Sequence, residues 1–130
     1  MAYPSEKTTI VLLIDDDADD REMFCEALHE VDNSARCITV QDGAEALGIL
    51  HTHDGMLPDF IFLDLNMPRL NGQQCLSEIK KTSNLLHIPV IIYTTSKQQQ
   101  DIDETKSLGA AYFITKPNTF EGICKSIACV

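Results

Sequence analysis

Five acids crowd six consecutive positions near the start of the chain, Asp15-Asp16-Asp17-Ala18-Asp19-Asp20. Two unit charges 4 Å apart repel by ~4 kcal/mol at an effective dielectric of 20, so carboxylates gathered this closely need a cation or hydrogen-bond donors beside them. Part of the run has a helical explanation. Asp17 can act as an N-cap, and Asp19 and Asp20 favour the positive end of the helix that would follow. Asp15 and Asp16 have no such reason, and their chemistry is that of a hard-cation site made of oxygen ligands. Other polar groups also stand directly after apolar runs. Asp64 follows Phe60–Leu63, Thr94-Thr95-Ser96 follows Ile88–Tyr93, and Lys116-Pro117 comes just after Ala111–Ile114. Taken alone, Thr94 reads equally as a helix cap and Lys116 as a solvated loop residue. Taken together, carboxylates, hydroxyls and an ammonium are what a Mg²⁺ ion with a neighbouring phosphate needs, provided the fold brings them to one place.

The elements that must do so are five short β-rich runs, Thr9–Ile14, Ala35–Val40, Phe60–Leu63, Ile88–Tyr93 and Ala111–Ile114, each followed by enough chain for a helix. Four runs are nearly continuous in apolar residues, as strands covered on both faces are; Ala35–Val40 is mixed, as an edge strand can be. Between them, Met23, Phe24, Ala27, Leu28 and Val31 form a helical stripe, as do Ala46, Leu47 and Leu50, then Leu76 and Ile79, then Phe120, Ile123, Cys124 and Ile127. The segment Lys97 to Leu108 leaves mainly Ile102 and Leu108 to bury and predicts the least firmly packed helix. Gly72 marks the start of the third helix, Gly109 the cap of the fourth, and Gly43 and Gly55 bracket the second. Five βα units with right-handed crossovers make an α/β, doubly wound parallel sheet in three layers, whose ligands sit beyond the carboxyl ends of the strands.

At 130 residues the chain is sized for one domain, 1–130, with a core from about residue 8 onward. Ten Lys and Arg against twenty Asp and Glu leave a net charge of −10, which disfavours a phosphate backbone as partner, so no direct nucleic-acid binding is expected. The longest apolar run, Ile10 to Ile14, is far too short for a membrane span, and the first nine residues lack an export signal, so the expected location is cytoplasmic. Five cysteines, Cys25, Cys37, Cys75, Cys124 and Cys129, are odd in number and include no C-x-x-C pair. That predicts buried reduced thiols, with neither a disulfide framework nor a zinc site. His51 and His53 are spaced to face different sides of a helix and are expected to be solvated.

The segments VLLIDDD, FIFLDLNMPRLNG, VIIYTTS and GAAYFITKP resemble, in order and at family spacing, the signature segments of the receiver domain of two-component response regulators. The likeness runs from about Thr8 to the C-terminus. It implies a flavodoxin-like (βα)5 fold with strand order 2-1-3-4-5, in which Asp15, Asp16 and Asp64 converge. It further implies that Asp64 is the phosphoacceptor, taking a phosphoryl group from a phosphohistidine of a sensor histidine kinase or histidine phosphotransfer protein. Mg²⁺ would be held by Asp16 and Asp64 directly, by Asp15 through water and by the backbone carbonyl of Asn66. Lys116 would pair with a phosphoryl oxygen and the Thr94 hydroxyl would donate to another. Phe113 stands at the family's switch-aromatic position, although a core Phe on the last strand explains it equally well. Pro117 resembles the family's cis-proline. Thr95 is bulkier than the small residue many receivers carry, and Asn66 and Ser96 flank the pocket where acyl-phosphate lifetime is tuned. The surface expected to report the state is the fourth helix with the fifth strand and helix, acting on an unidentified downstream protein.

Because the sequence ends with the fifth helix, the expectation is a stand-alone signalling protein and not a turnover enzyme. Three other readings compete. A pseudo-receiver would use the fold for interaction only, against which the complete set Asp15, Asp16, Asp64, Thr94 and Lys116 weighs. A flavin carrier would need a phosphate loop where the five aspartates stand. An aspartyl-phosphate phosphatase would need its nucleophile after the first strand.

Overall fold

A computed structural model describes residues 8–52 and 57–130. Strands β1 (Ile10–Ile14), β2 (Arg36–Val40), β3 (Phe60–Leu63), β4 (Val90–Thr94) and β5 (Tyr112–Thr115) alternate with helices α1 (Ala18–Val31), α2 (Gly43–Thr52), α3 (Gly72–Lys81), α4 (Gln99–Ser107) and α5 (Phe120–Ala128). All strand pairs are parallel, in the order β2-β1-β3-β4-β5. The chain reverses its direction of travel across the sheet between β1 and β3, which opens a crevice beyond their carboxyl ends.

Strand side chains alternate between two cores. Leu12, Ile14, Ile61, Leu63, Val90 and Ile92 pack with Ala46 and Leu50 of α2 and with Cys75, Leu76 and Ile79 of α3. Val11, Leu13, Phe62, Ile91 and Tyr93 pack with Phe24, Ala27 and Leu28 of α1 and Ile123 and Ile127 of α5. Central strands are therefore apolar on both faces, which is why they read as unbroken apolar runs. Phe24, Phe62 and Tyr93 pack against one another in tilted and edge-to-face geometry, with ring centroids 4.8, 5.4 and 6.2 Å apart, in the layer beneath the crevice.

Several local expectations need correction. Met23 and Val31 are exposed, because the face α1 turns to the sheet is filled by Phe24, Ala27 and Leu28. β5 is an edge strand, so it is not covered on both faces as its apolar run implied, and Tyr112 is 56% exposed. On α4 the one fully buried side chain is Thr105, with Ile102 and Leu108 only half-buried. The Thr105 hydroxyl donates to the carbonyls of Asp101 and Ile102, which allows a polar residue to face the sheet. Cys25 on α1 and Cys37 on β2 form a disulfide, contrary to the all-thiol reading; crossover packing brings their Cα atoms to 5.9 Å. Cys75, Cys124 and Cys129 are free thiols, and burial, then the charge of Glu78, pushes Cys75 up to about 12. Among the described residues no peptide bond is cis, so the Lys116–Pro117 bond is trans. Gly55 and His53 lie outside the described residues. Gly72 and Gly109 stand where expected, the latter with φ +105° just past the α4 C-cap.

No described helix is long and apolar enough to cross a membrane.

Candidate functional site

Ladder register delivers the polar residues to the crevice. Ile14 pairs with Leu63, so the next residues, Asp15 and Asp64, emerge side by side from β1 and β3. The Asp64 amide donates to the Ile14 carbonyl at 3.0 Å and the Asp15 amide to the Val40 carbonyl at 3.1 Å, extending the sheet to the acids themselves. Thr94 pairs with Thr115 on β5, and the Lys116 amide donates to the Thr94 carbonyl at 2.7 Å. Lys116 therefore leaves the sheet one residue later, aimed back over β4 and β3.

Asp15 is fully buried, Asp64 nearly so, and Asp16 is exposed. Carboxylate oxygens of these three lie within 4.8 Å of one another. Asp15 Oδ1 accepts the Asp17 amide at 2.9 Å, and Asp64 Oδ1 accepts the Asn66 amide at 3.2 Å. Each acid is thus oriented by the backbone two residues ahead. Arg21 of α1 donates to the Asp15 carbonyl at 2.8 Å, bracing the same turn.

The Lys116 ammonium, with its side chain 9% exposed, sits among three carboxylates: Asp15 Oδ2 at 2.8 Å, Asp20 Oδ2 at 2.7 Å and Asp64 Oδ2 at 3.2 Å. It also stands 5.6 Å from the centroid of the Tyr93 ring. Desolvation works against its charge, but the close carboxylates of Asp15 and Asp20 and the charge of Asp64 outweigh it, holding Lys116 protonated above the usual lysine range. Burial pushes Asp15 up to about 6, although the close ammonium of Lys116 and the Asp17 amide pull the other way. The shared lysine does not fully compensate this acid, because Asp15 Oδ2 is buried and makes no hydrogen bond of acceptable geometry beside the ion pair.

Thr94 is fully buried at the end of β4 and accepts the Ser96 amide at 3.4 Å. It does not cap the next helix. The N-cap of α4 is Gln98, without a side-chain cap, and Ser96 braces the turn before it, accepting the Gln98 amide at 3.1 Å and donating to Asp101 at 2.6 Å. Thr95, expected to crowd the pocket, is exposed, as is Asn66. Phe113 is half-buried and pairs with Ile92, so it shares a sheet face with Thr94 two residues along the neighbouring strand. It lines a groove of about 270 Å³ with Ile102, Thr105 and Lys106 of α4 and exposed Tyr112.

Asp17 is the N-cap of α1, accepting the Asp20 amide at 3.0 Å. Asp20 was explained in the sequence by the helix dipole alone; its carboxylate in fact reaches across the crevice to Lys116. Nothing local signals that contact, which joins residues 96 positions apart.

The response regulator receiver domain profile matches residues 11–128. The probable methanogenesis regulatory protein FilR2 of Methanothrix harundinacea is 30% identical over 126 residues, covering 95% of this chain and 81% of FilR2. The crystal structure of the phosphorylated cyanobacterial phytochrome response regulator RcpA aligns with a TM-score of 0.86 at 30% identity, covering 95% of this chain and 91% of that one. The Mn²⁺-bound form of the response regulator Rcp1, a protein of Synechocystis, aligns with a TM-score of 0.82 at 28% identity, covering 93% and 90%.

Proposed function

The chain belongs to the response regulator receiver family of two-component systems, and from that premise we propose that it is a Mg²⁺-dependent phosphoacceptor whose Asp64 takes a phosphoryl group from a phosphohistidine. The donor is a sensor histidine kinase or a histidine phosphotransfer protein. One observation carries the reading: a single ammonium, Lys116, bridges the strand-end acids Asp15 and Asp64, whose oxygens lie with those of Asp16 within 4.8 Å.

The donor set fits a hard divalent cation. It is made only of oxygens, and it contains a buried carboxylate oxygen, Asp15 Oδ2, that lacks a hydrogen bond. Asp15, Asp16, Asp64 and the backbone carbonyl of Asn66 are the groups that would hold Mg²⁺. When bound, the ion offsets charge between an anionic donor and an anionic nucleophile. The Mn²⁺-bound form of Rcp1 supports a divalent cation in this family, and the all-oxygen ligands here suit Mg²⁺ as they suit Mn²⁺.

An oxygen of Asp64 attacks phosphorus; the new P–O bond forms as the P–N bond to imidazole breaks, and the leaving nitrogen takes a proton from solvent. Lys116 binds a phosphoryl oxygen and offsets its charge. The Thr94 hydroxyl, one residue past the last core position of β4, turns to donate to another. Phe113 shares that sheet face and lies over the α4 groove, so the space Thr94 leaves is open to its ring, and the α4–β5–α5 surface changes for a downstream protein. Residues 8–130 act as one receiver domain that signals by protein contact in the cytoplasm, without turnover of a substrate and without direct contact to nucleic acid. Loss of phosphotransfer with retention of the fold, a pseudo-receiver, is the second reading.

The test is intact-protein mass after incubation with acetyl phosphate and Mg²⁺. Wild type is expected to gain one phosphoryl group, and Asp64→Asn, or wild type with a chelator, none. A folded wild-type protein that gains nothing with any small donor or divalent cation overturns the reading in favour of the pseudo-receiver.

A further inference from the structure

Lys116 carries three N–H bonds and has three carboxylates around it. Two of those N–H bonds go to Asp20 and Asp64, and Asp15 faces the ammonium as an ion pair, so a phosphoryl oxygen arriving at Asp64 competes with carboxylates already in place. Asp15 is fully buried and fastened by the Asp17 amide, and Asp64 carries the incoming group. Asp20 is different. Its side chain is 37% exposed on the first turn of α1, so it can return to water at small cost while still complementing the helix dipole. Its bond to Lys116, at 2.7 Å, is nevertheless the shortest of the three.

Building on the phosphoacceptor reading, we infer that Asp20 is a positioning residue that competes with the phosphoryl group for Lys116. In the unphosphorylated protein it holds the ammonium over Asp64, and on phosphorylation it is displaced into solvent. Two consequences oppose each other. The lysine is kept in place for an incoming phosphoryl group, yet the phosphoryl–lysine pair forms at the expense of the bond to Asp20. Asp20 therefore biases the equilibrium towards the unphosphorylated state. Because Asp20 is partly solvated, the bias is modest, about threefold to fivefold in the affinity for a phosphoryl mimic.

The experiment titrates beryllofluoride into the Mg²⁺-saturated protein and compares wild type with Asp20→Asn, Asp19→Asn, Lys116→Met and the Asp20→Asn/Lys116→Met pair. Asp19→Asn removes the same charge from the same exposed helical turn without touching Lys116. Asp20→Asn is expected to bind beryllofluoride about threefold to fivefold more tightly, Asp19→Asn much less so, and the gain is expected to vanish once Lys116 is Met. A merely structural role would weaken binding instead. A second readout needs no ligand: with a chelator present, Asp20→Asn lowers the thermal midpoint of wild type but not of Lys116→Met. If Asp20→Asn and Asp19→Asn behave alike, or if the gain persists without Lys116, the competition is refuted while the phosphoacceptor reading stands. If wild type binds no beryllofluoride, both fall.

Discussion

The Gly72 amide donates to the Leu65 carbonyl at 3.1 Å, fastening the start of α3 to the residue that follows Asp64. A Cβ at position 72 would stand 2.6 Å from Leu65 Cα and would press on the Asp64 carbonyl as well. The two nearest obstacles are backbone, with the Leu65 side chain at 2.9 Å behind them, so Gly72→Ala must shift the loop that aims the phosphoacceptor. The expected cost is about 1–3 kcal/mol of stability, with slower phosphorylation of Asp64. Denaturant unfolding and time-resolved intact mass measure the two, and a variant unchanged in both would mean the loop yields freely.

Asp15 links pH to stability in metal-free protein. Its folded value, about 6, lies above the ordinary 3.8, so the folded state holds the proton more tightly than the unfolded chain does. Its favourable contribution is complete below about pH 4 and is lost as pH rises through about 6. The loss amounts to about 3 kcal/mol. Unfolding curves of wild type and Asp15→Asn, both with a chelator, should diverge across this window, with wild type losing relative stability as pH rises. Parallel curves would show that Lys116 compensates Asp15 fully.

Lys116→Met tests the other half of that pair. Without the ammonium, buried Asp15 and Asp64 lose the counter-charge they share in the metal-free protein. A loss of about 3 kcal/mol is expected at pH 7, shrinking towards pH 5 as Asp15 takes up a proton, and phosphorylation should become inefficient. Wild-type stability together with wild-type phosphorylation would remove Lys116 from the site.

The Cys25–Cys37 disulfide closes a short loop, 12 residues in separation, between α1 and the edge strand β2. Closing such a loop in the unfolded chain is worth about 3 kcal/mol. A thiol reductant should lower the denaturant midpoint of wild type by a corresponding amount and leave a Cys25→Ser/Cys37→Ser variant unmoved. Equal midpoints with and without reductant would show that the bridge adds nothing to stability.

Strand positions were legible to within one or two residues because central strands buried on both faces must be apolar at every position. Helix starts were legible at Asp17 and Gly72 because capping and close approach are local demands on residue type. Asp15, Asp16, Asp64, Thr94 and Lys116 were legible as polar residues closing apolar runs, but for Thr94 a helix cap and for Lys116 a solvated loop explained that equally well, and only the fold, which buries both side chains, excludes those two readings. Edge exposure at Tyr112, the outward turn of Met23 and Val31, the burial of Thr105, the Cys25–Cys37 bridge and the reach of Asp20 to Lys116 were not legible. Each depends on which element lies next to which and how it is rotated. Sequence by itself determined the menu of elements and the chemistry available at their ends, since both follow from local sterics, hydrogen bonding and periodicity. Only the tertiary structure decided which carboxylates share one ammonium, because distances between residues far apart in the chain are set by parallel register and crossover packing.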